Sequence, residues 1–274
     1  MPDQIDLSLM DSIPIVPNGF LRLRRHWKAP TDGFWDQIWD GTSAKDYWKD
    51  ALEGRLTRDY ETLFKNYVKK GAKVLEAGCG VGQVVLALRA RGYDCWGLDY
   101  AEKTINSLTD IFPDTPFVHG DIRELPFEDE SFDVYVSLGV IEHFTSGQSQ
   151  ILAEAARVLR PNGVILISVP ALNSYRKMRI RYKTYREKSA LPFFEDCYSR
   201  EELESLLEDA GFHCKHHTYL NTPMTAMQES PFRRLYRLVE DRRRFRGPID
   251  RCLRWTLPKS WFGHMLMVVG EKKS

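Results

Sequence analysis

The stretch VLEAGCGVGQ, residues 74–83, carries the pattern that decides the fold. Lys73 to Glu76 alternates into a short apolar strand, glycines follow at every second position, and Gln83 to Arg89 continues as a helix. Glycine permits positive φ angles and lets a ligand lie against the main chain, while a helix start offers unpaired N–H groups. The stretch therefore predicts a strand, a glycine turn and a helix that together bind a nucleotide-like ligand.

The spacing of the glycines distinguishes two classes of nucleotide site. A dinucleotide site uses G-x-G-x-x-G, which requires a glycine where Gln83 stands. The pattern here is E-x-G-x-G-x-G, which favours a ligand without a pyrophosphate. Glycine-rich turns also form tight corners that bind nothing, and the turn alone leaves this interpretation open.

Length and composition indicate a globular chain. With 274 residues, 43% of them hydrophobic, the chain can bury a sizeable core, and a formal net charge of +1 predicts no general attraction to polyanions. The five cysteines are far apart and never in C-x-x-C, so we expect neither disulfides nor a metal site. The acidic first ten residues and the lack of a membrane-spanning stretch predict a cytoplasmic protein.

Strands alternate with helices along the rest of the chain, which predicts an α/β fold built from parallel βαβ units. The strand candidates after the glycine turn are residues 94–99, 116–120, 131–140, 164–169, 212–220 and 264–270. Acidic residues recur at the ends of the first three strands, as Glu76, Asp99 and Asp121. Because the carboxyl ends of parallel strands meet at one edge of a sheet, we expect these acids to face one site.

The segment before the glycine turn is divided in two by its composition. Residues 1 to about 30 are punctuated by prolines and predict a loose arm, whereas residues 32–67 have a helical pattern crowded with aromatic residues. Four of the seven tryptophans fall between Trp27 and Trp48. These rings either dock helices on the core or form a lid that covers a ligand and excludes water, and both interpretations stay open.

Six short motifs resemble those of class I S-adenosylmethionine-dependent methyltransferases, in the same order and spacing. They are EAGCGVG (76–82), GLDY (97–100), GDIRELPF (120–127), SFDV (131–134), SLGVIEH (137–143) and RVLRPNGV (157–164). The chain looks like the small-molecule branch that includes quinone-biosynthesis enzymes, over roughly residues 70–170. The resemblance implies a Rossmann-like, seven-stranded, mostly parallel sheet with helices on both faces and an antiparallel last strand.

The resemblance also implies residues that bind the nucleoside part of S-adenosylmethionine. Asp99, at the end of its strand, would accept hydrogen bonds from both ribose hydroxyls. Tyr100 and Ile122 would enclose the adenine, and Asp121 would accept from its amine.

A second group of residues would bind the methionine part of the cofactor. The main chain of Gly78, Cys79 and Gly80 would lie against it, Glu76 would meet its ammonium, and Leu138 would offer main-chain groups. Gln83, which opens the helix, is assigned to the same site. The cofactor carboxylate would pair with Arg58 or Arg55, unless these are exposed helical arginines. The Cys79 thiol is interpreted as a small buried group and not as a nucleophile.

His143 is the candidate catalytic residue. It follows the fourth strand of the predicted crevice, and an imidazole titrates near working pH, so it suits removal of a proton from the acceptor. The alternative is that His143 only hydrogen-bonds a loop or caps the next helix. Its neighbour Glu142 would orient it or be a solvated acid.

Two basic segments lie outside the motifs. Residues 175–188 carry seven basic residues against one acid, and residues 232–259 carry ten more. Phe232, Leu235, Tyr236 and Val239 fall on one helical face, which suits either an anionic membrane, through residues 232–262, or a packed helix with a solvated basic face. Binding of nucleic acid is not expected, because no known binding module accompanies the charge.

These observations and the resemblance predict an arm with aromatic helices over residues 1–68 and a methyltransferase core over 69–274, with insertions near 171–198 and 221–263. The resemblance implies that the insertions cover the acceptor pocket and choose the acceptor. The expected activity is methyl transfer to an oxygen or nitrogen of a small, anionic or lipid-linked molecule. A non-catalytic cofactor-binding or membrane-adaptor protein and a nicotinamide-dependent oxidoreductase are the alternatives.

Overall fold

The computed structural model describes residues 10–39, 44–186, 188–229 and 243–274. The strands are β1 (Asp11–Ile15), β2 (Arg22–His26), β3 (Lys73–Ala77), β4 (Asp94–Asp99), β5 (Phe117–His119), β6 (Phe132–Leu138), β7 (Leu159–Pro170), β8 (Phe193–Cys197), β9 (Phe212–Leu220) and β10 (Met265–Lys272).

The helices of the described ranges alternate with these strands. They are α1 (Asp32–Ile38), α2 (Ala44–Leu52), α3 (Arg58–Tyr67), α4 (Gln83–Ala90), α5 (Glu102–Ile111), α6 (Gln148–Val158), α7 (Ser174–Arg181), α8 (Arg200–Asp209), α9 (Thr222–Glu229), α10 (Arg243–Thr256) and α11 (Lys259–Phe262). At the start of several helices, a side chain accepts a hydrogen bond from a main-chain N–H of the first turn. The Ser199 hydroxyl caps α8 by accepting a hydrogen bond from the Glu202 N–H at 3.2 Å.

The main sheet has seven strands in the order β5-β4-β3-β6-β7-β10-β9. The pairs among β5, β4, β3, β6 and β7 are parallel, and the last strand is antiparallel. The prediction of a Rossmann-like, mostly parallel sheet with helices is therefore confirmed. The strand order reverses at β3, with β4 and β5 on one side and β6 and β7 on the other. In open α/β sheets, ligands bind in the crevice at such a reversal.

Residues 161–163, part of the motif RVLRPNGV, lie inside an irregular strand. β7 runs from Leu159 to Pro170, and its pairing with β6 shifts register between Phe132 and Val134, so the extra residues form a bulge. Asn162 has a φ of 60°, a left-handed conformation that asparagine tolerates better than most residues. The residues P-N-G at 161–163 therefore interrupt the strand pairing and not the strand.

The chain divides into two compact units. The glycine-turn unit comprises Pro30–Ser168, Glu204–His216 and Val268–Ser274. The arginine-rich unit comprises Met1–Ala29, Val169–Leu203 and His217–Met267.

The loose arm predicted for residues 1–30 is wrong over residues 11–26. In the arginine-rich unit, β1 and β2 pair antiparallel and β2 pairs antiparallel with β8, forming a three-stranded sheet. Pro14 fits β1 because this strand is at an edge, where a missing N–H costs little. Local sequence does not reveal this sheet, since the partner strand β8 begins at Phe193.

Buried ion pairs connect the elements of the arginine-rich unit. The Arg25 guanidinium contacts Glu195 at 2.6 Å and Glu229 at 2.8 Å, and Arg176 also pairs with Glu229. Although burial raises the pKa of a carboxyl, Arg176 and Arg25 lower the pKa of Glu229 to about 2. Burying charges is costly unless each is paired, so removing one partner of this network would be strongly destabilising.

Candidate active site

The glycine turn between β3 and α4 has left-handed backbone at three positions. The φ angles of Gly78, Gly80 and Gly82 are 84°, 51° and 71°, which other residues rarely adopt. A Cβ on residue 78 would stand 2.3 Å from Cγ2 of Val140, and one on residue 82 would stand 2.6 Å from the Phe117 ring. At residues 78 and 82, both the backbone conformation and the packing against neighbouring side chains therefore require glycine, whether or not a ligand lies against the turn.

Glu76 lies under the turn with its carboxylate buried. Its Oε2 accepts a hydrogen bond from the Val85 N–H at 3.2 Å, which supplies a partner for an unpaired donor in the first turn of α4. Burial raises the pKa of Glu76 well above its ordinary value, the Val85 hydrogen bond opposes this, and nearby Asp99 adds to it. A positively charged ligand would therefore stabilise the ionised form of Glu76 more than its protonated form.

Asp99 ends β4 and holds the turn from the other side. Its Oδ2 accepts from the Gly80 N–H at 2.8 Å, and its Oδ1 accepts from the Ala101 N–H at 3.0 Å. Burial raises its pKa, and these main-chain hydrogen bonds oppose the rise. A carboxylate accepts about four hydrogen bonds, so each oxygen keeps capacity for a further donor.

Asp121 follows β5 at the same edge of the sheet but has a different environment. The strands β3, β4 and β5 are neighbours, so Glu76, Asp99 and Asp121 stand at the carboxyl ends of three adjacent parallel strands. The Asp121 carboxylate accepts from the Arg123 Nε at 3.0 Å, and this hydrogen bond lowers the pKa of Asp121. Arg123 thus competes with any ligand for this acid.

The other predicted cofactor residues occupy these positions. Tyr100 and Ile122 follow Asp99 and Asp121, Leu138 ends β6, Gln83 opens α4, and Cys79 is buried in the turn with a raised thiol pKa. Arg58 is exposed at the start of α3, whereas Arg55 pairs with Asp50 and Glu53. These positions leave the predicted roles of the residues as predictions.

His143 lies in a short 3₁₀ turn, Ile141–His143, that follows β6. Its main-chain N–H donates to the Val140 carbonyl at 3.1 Å, and its imidazole is half-buried. The Trp35 ring meets the imidazole edge to face, with centroids 4.9 Å apart. Glu142, the preceding residue, is fully buried and so is not the solvated acid of the sequence-based alternative.

The helix α1 brings two tryptophans to this region. Trp35 and Trp39 are stacked, with ring centroids 6.1 Å apart, and the Trp39 ring lies beside Gly80. The helix is anchored by Asp36, whose Oδ1 accepts from both the main-chain N–H and the hydroxyl of Thr104. Its two indole rings therefore contact the glycine turn and the candidate base.

Other rings of the predicted aromatic helices dock on the core. The Trp48 indole N–H donates to the Val81 carbonyl at 2.8 Å, and its ring packs edge to face on Phe112. Of the two interpretations of the aromatic residues, docking applies to Trp48, while a lid formed by Trp35 and Trp39 stays a prediction.

Sequence reasoning missed two residues of this neighbourhood. Burial and the nearby Glu76 raise the pKa of Tyr60 to about 12, so its phenol stays protonated near this acid. For Trp39 the sequence left docking and a lid both open and did not assign the ring to the glycine turn. The spacing of Trp35 and Trp39, four apart on one helical face, was the available signal.

The predicted basic segments are only partly described. The face formed by Phe232, Leu235, Tyr236 and Val239 lies outside the described residues. In α7, which lies in the other basic segment, Arg176 is fully buried. Within the described ranges, no helix has the length and apolar character needed to cross a membrane.

Comparisons with known proteins agree with this geometry. Residues 75–167 match the methyltransferase domain family. A probable S-adenosylmethionine-dependent methyltransferase of Mycolicibacterium smegmatis is 37% identical over 164 residues, which are 59% of this chain and 61% of the relative. The chain thus spans less than two thirds of that relative's length.

One solved structure of similar fold comes from Haloferax volcanii, in a complex between the Trm112 methyltransferase activator and a putative methyltransferase. It superposes with a TM-score of 0.56 at 20% identity, covering 88% of this chain and 98% of that chain, which shows the fold alone. A demethylmenaquinone methyltransferase of Staphylococcus aureus is 31% identical over 172 residues, covering 53% of this chain and 69% of the relative. Because the fold and the sequence similarity agree, the chain belongs to the class I S-adenosylmethionine-dependent methyltransferases.

Proposed function

We propose that the chain transfers the methyl group of S-adenosylmethionine to an oxygen or nitrogen of a small, anionic or lipid-linked acceptor. The observation that carries this proposal is the pair of buried carboxylates, Glu76 and Asp99, that flank one glycine turn. Both have raised pKa values, so a ligand with positive charge and hydroxyl donors would stabilise their ionised forms.

The residues present suit this cofactor. Asp99 retains acceptor capacity for ribose hydroxyls, and Glu76 suits an ammonium group. Gly78 and Gly80 add no side chains of their own to the turn, although Val140 and Trp39 lie where their Cβ atoms would stand. Tyr100 and Ile122 are proposed to contact the adenine.

Bound S-adenosylmethionine would supply a methyl carbon activated by its bond to positively charged sulfur. The chain has to align the acceptor, exclude water and accept a proton. We assign the proton to the imidazole of His143, whose ring Trp35 holds by an edge-to-face contact. The segments 171–198 and 221–263 are proposed to choose the acceptor.

A screen of metabolite extracts with methyl-labelled S-adenosylmethionine, followed by mass spectrometry of the products, tests the activity. The expected result is a labelled small molecule together with S-adenosylhomocysteine, both strongly reduced with His143→Ala. Binding of S-adenosylmethionine without turnover on any extract would favour a cofactor-binding protein. Binding of NAD in its place would favour an oxidoreductase.

We also propose that the arginine-rich unit contacts an anionic membrane surface near α10. Trp255 is 80% exposed and Trp261 is 43% exposed, and the exposed basic residues Arg251, Arg254 and Lys259 lie near them in sequence. Indole rings suit the interfacial region of a bilayer, and basic side chains suit anionic headgroups. This combination supports the predicted membrane contact through residues 232–262.

Flotation with phosphatidylserine vesicles tests the membrane proposal. Binding is expected at low salt, is expected to fall at high salt, and is expected to weaken with Trp255→Ser. The matched control is Leu52→Ser, which removes an exposed apolar side chain from the glycine-turn unit. Equal flotation of the unsubstituted chain and Trp255→Ser would contradict the proposal.

A further inference from the structure

Trp39 places an aromatic surface directly beside the glycine turn. Its Cζ2 and Cε2 atoms lie 3.0 and 3.1 Å from the point where a Cβ of residue 80 would stand. Trp35 stacks on it with an angle of 18° between the ring planes, which supports the position of the indole. The aromatic ring therefore lines the main chain at Gly80.

The same part of the turn is surrounded by acidic groups. The Gly80 N–H donates to Asp99, and Asp99 is close enough to Glu76 to contribute to its raised pKa. Two buried carboxylates and an indole ring all favour a cation, since the face of an aromatic ring carries partial negative charge.

Other indole rings in this chain already carry cations. The Lys28 ammonium lies 5.2 Å from the centroid of Trp27, and the Lys73 ammonium lies 5.3 Å from that of Trp96. Among the basic side chains that the structure describes, none lies over Trp39.

We propose that Trp39 recognises the sulfonium charge of S-adenosylmethionine through a cation–π contact and so distinguishes the cofactor from its neutral product. This inference rests on the proposed function. S-adenosylhomocysteine has the same adenosine and amino acid groups but a neutral sulfur. A contact that responds to charge alone therefore favours the cofactor over the product and assists product release.

The discrimination has a measurable size. Cation–π contacts correspond to about a 2- to 30-fold change in a dissociation constant. Leucine at residue 39 keeps apolar bulk but has no aromatic ring. Trp39→Leu is expected to weaken binding of S-adenosylmethionine by about this factor and to change binding of S-adenosylhomocysteine much less.

Calorimetric titration of the full chain with each ligand tests the inference. The ratio of the two dissociation constants should fall with Trp39→Leu and fall less with Trp39→Phe, which keeps a smaller aromatic face. Trp255→Leu is the control, since it removes an exposed indole from the other unit and should leave the ratio unchanged. Retained binding of S-adenosylhomocysteine by Trp39→Leu would show that the site is folded.

The outcomes separate this inference from the proposed function. If the unsubstituted chain binds neither ligand, both proposals are overturned. If it binds both, and Trp39→Leu weakens them equally or weakens neither, only the role of Trp39 is overturned. A selective loss of S-adenosylmethionine supports the role of Trp39.

Discussion

Replacing Gly78 by alanine is expected to destabilise the chain through two separate costs at one position. The φ angle of 84° is left-handed, and an L-residue with a Cβ pays about 1–2 kcal/mol to adopt it. The new Cβ would also stand 2.3 Å from Cγ2 of Val140, so neighbouring atoms must shift. Overpacking of this kind costs about 1–3 kcal/mol, which gives a total of about 2–5 kcal/mol.

Gly92 separates the two costs. It has the same φ of 84°, but no atom lies within 4 Å of the point where its Cβ would stand. Gly92→Ala should therefore lose only the conformational part, about 1–2 kcal/mol. The difference between the two variants measures the contact with Val140.

Urea unfolding of the unsubstituted chain, Gly78→Ala, Gly92→Ala, Val140→Ala and the double variant Gly78→Ala with Val140→Ala provides the assay. Because Val140→Ala removes the clashing methyl groups, the two substitutions should couple favourably by about 1–3 kcal/mol in a double-mutant cycle. Equal losses for Gly78→Ala and Gly92→Ala, with no coupling to Val140, would refute this account of the turn.

The remaining predictions concern the site. His143→Ala should lower turnover by about 10²- to 10⁴-fold and leave cofactor affinity unchanged. The control is His213→Ala, which replaces an exposed histidine. Full turnover by His143→Ala would exclude His143 as the general base. Burial raises the pKa values of Glu76 and Asp99 above 4.5 and 3.8, so their contribution to the free energy of unfolding is present below those values and is lost as pH rises through the folded pKa values. A positively charged cofactor favours the ionised carboxylates and so lowers these pKa values again, which means that its binding should release protons and should tighten as pH rises between the ordinary and the folded pKa values. Calorimetry in buffers of different ionisation enthalpy measures the protons released. Proton uptake would contradict this prediction. Arg58→Ala should weaken cofactor binding if the guanidinium pairs with the methionine carboxylate, and unchanged affinity would make Arg58 a surface residue.

The central βαβ unit was predictable from sequence because its determinants are local. Alternating apolar residues define β3, glycines mark the left-handed turn, and α4 follows at once, so the chain from Lys73 to Ala90 needs no distant partner to be recognised. The acids at the strand ends followed from the same logic, since parallel strands place their carboxyl ends together.

The parts that sequence did not reveal depend on distant partners. The sheet of β1, β2 and β8 joins segments about 170 residues apart, as the pairing of Arg25 with Glu195 shows. Arg176 belongs to a basic segment of the sequence, but it is buried and pairs with Glu229, 53 residues away. The reason for glycine at residue 78 includes the contact with Val140, which no local pattern shows.

The central claim is that the glycine turn, with Glu76 below it and Asp99 beside it, binds S-adenosylmethionine. Calorimetric titration of the unsubstituted chain and of Asp99→Asn with S-adenosylmethionine tests it most directly. We expect binding by the unsubstituted chain and a weakening of roughly 10-fold or more in the variant, because a charged acceptor is lost. No binding by the unsubstituted chain, or equal affinity of a folded Asp99→Asn variant, would contradict the claim.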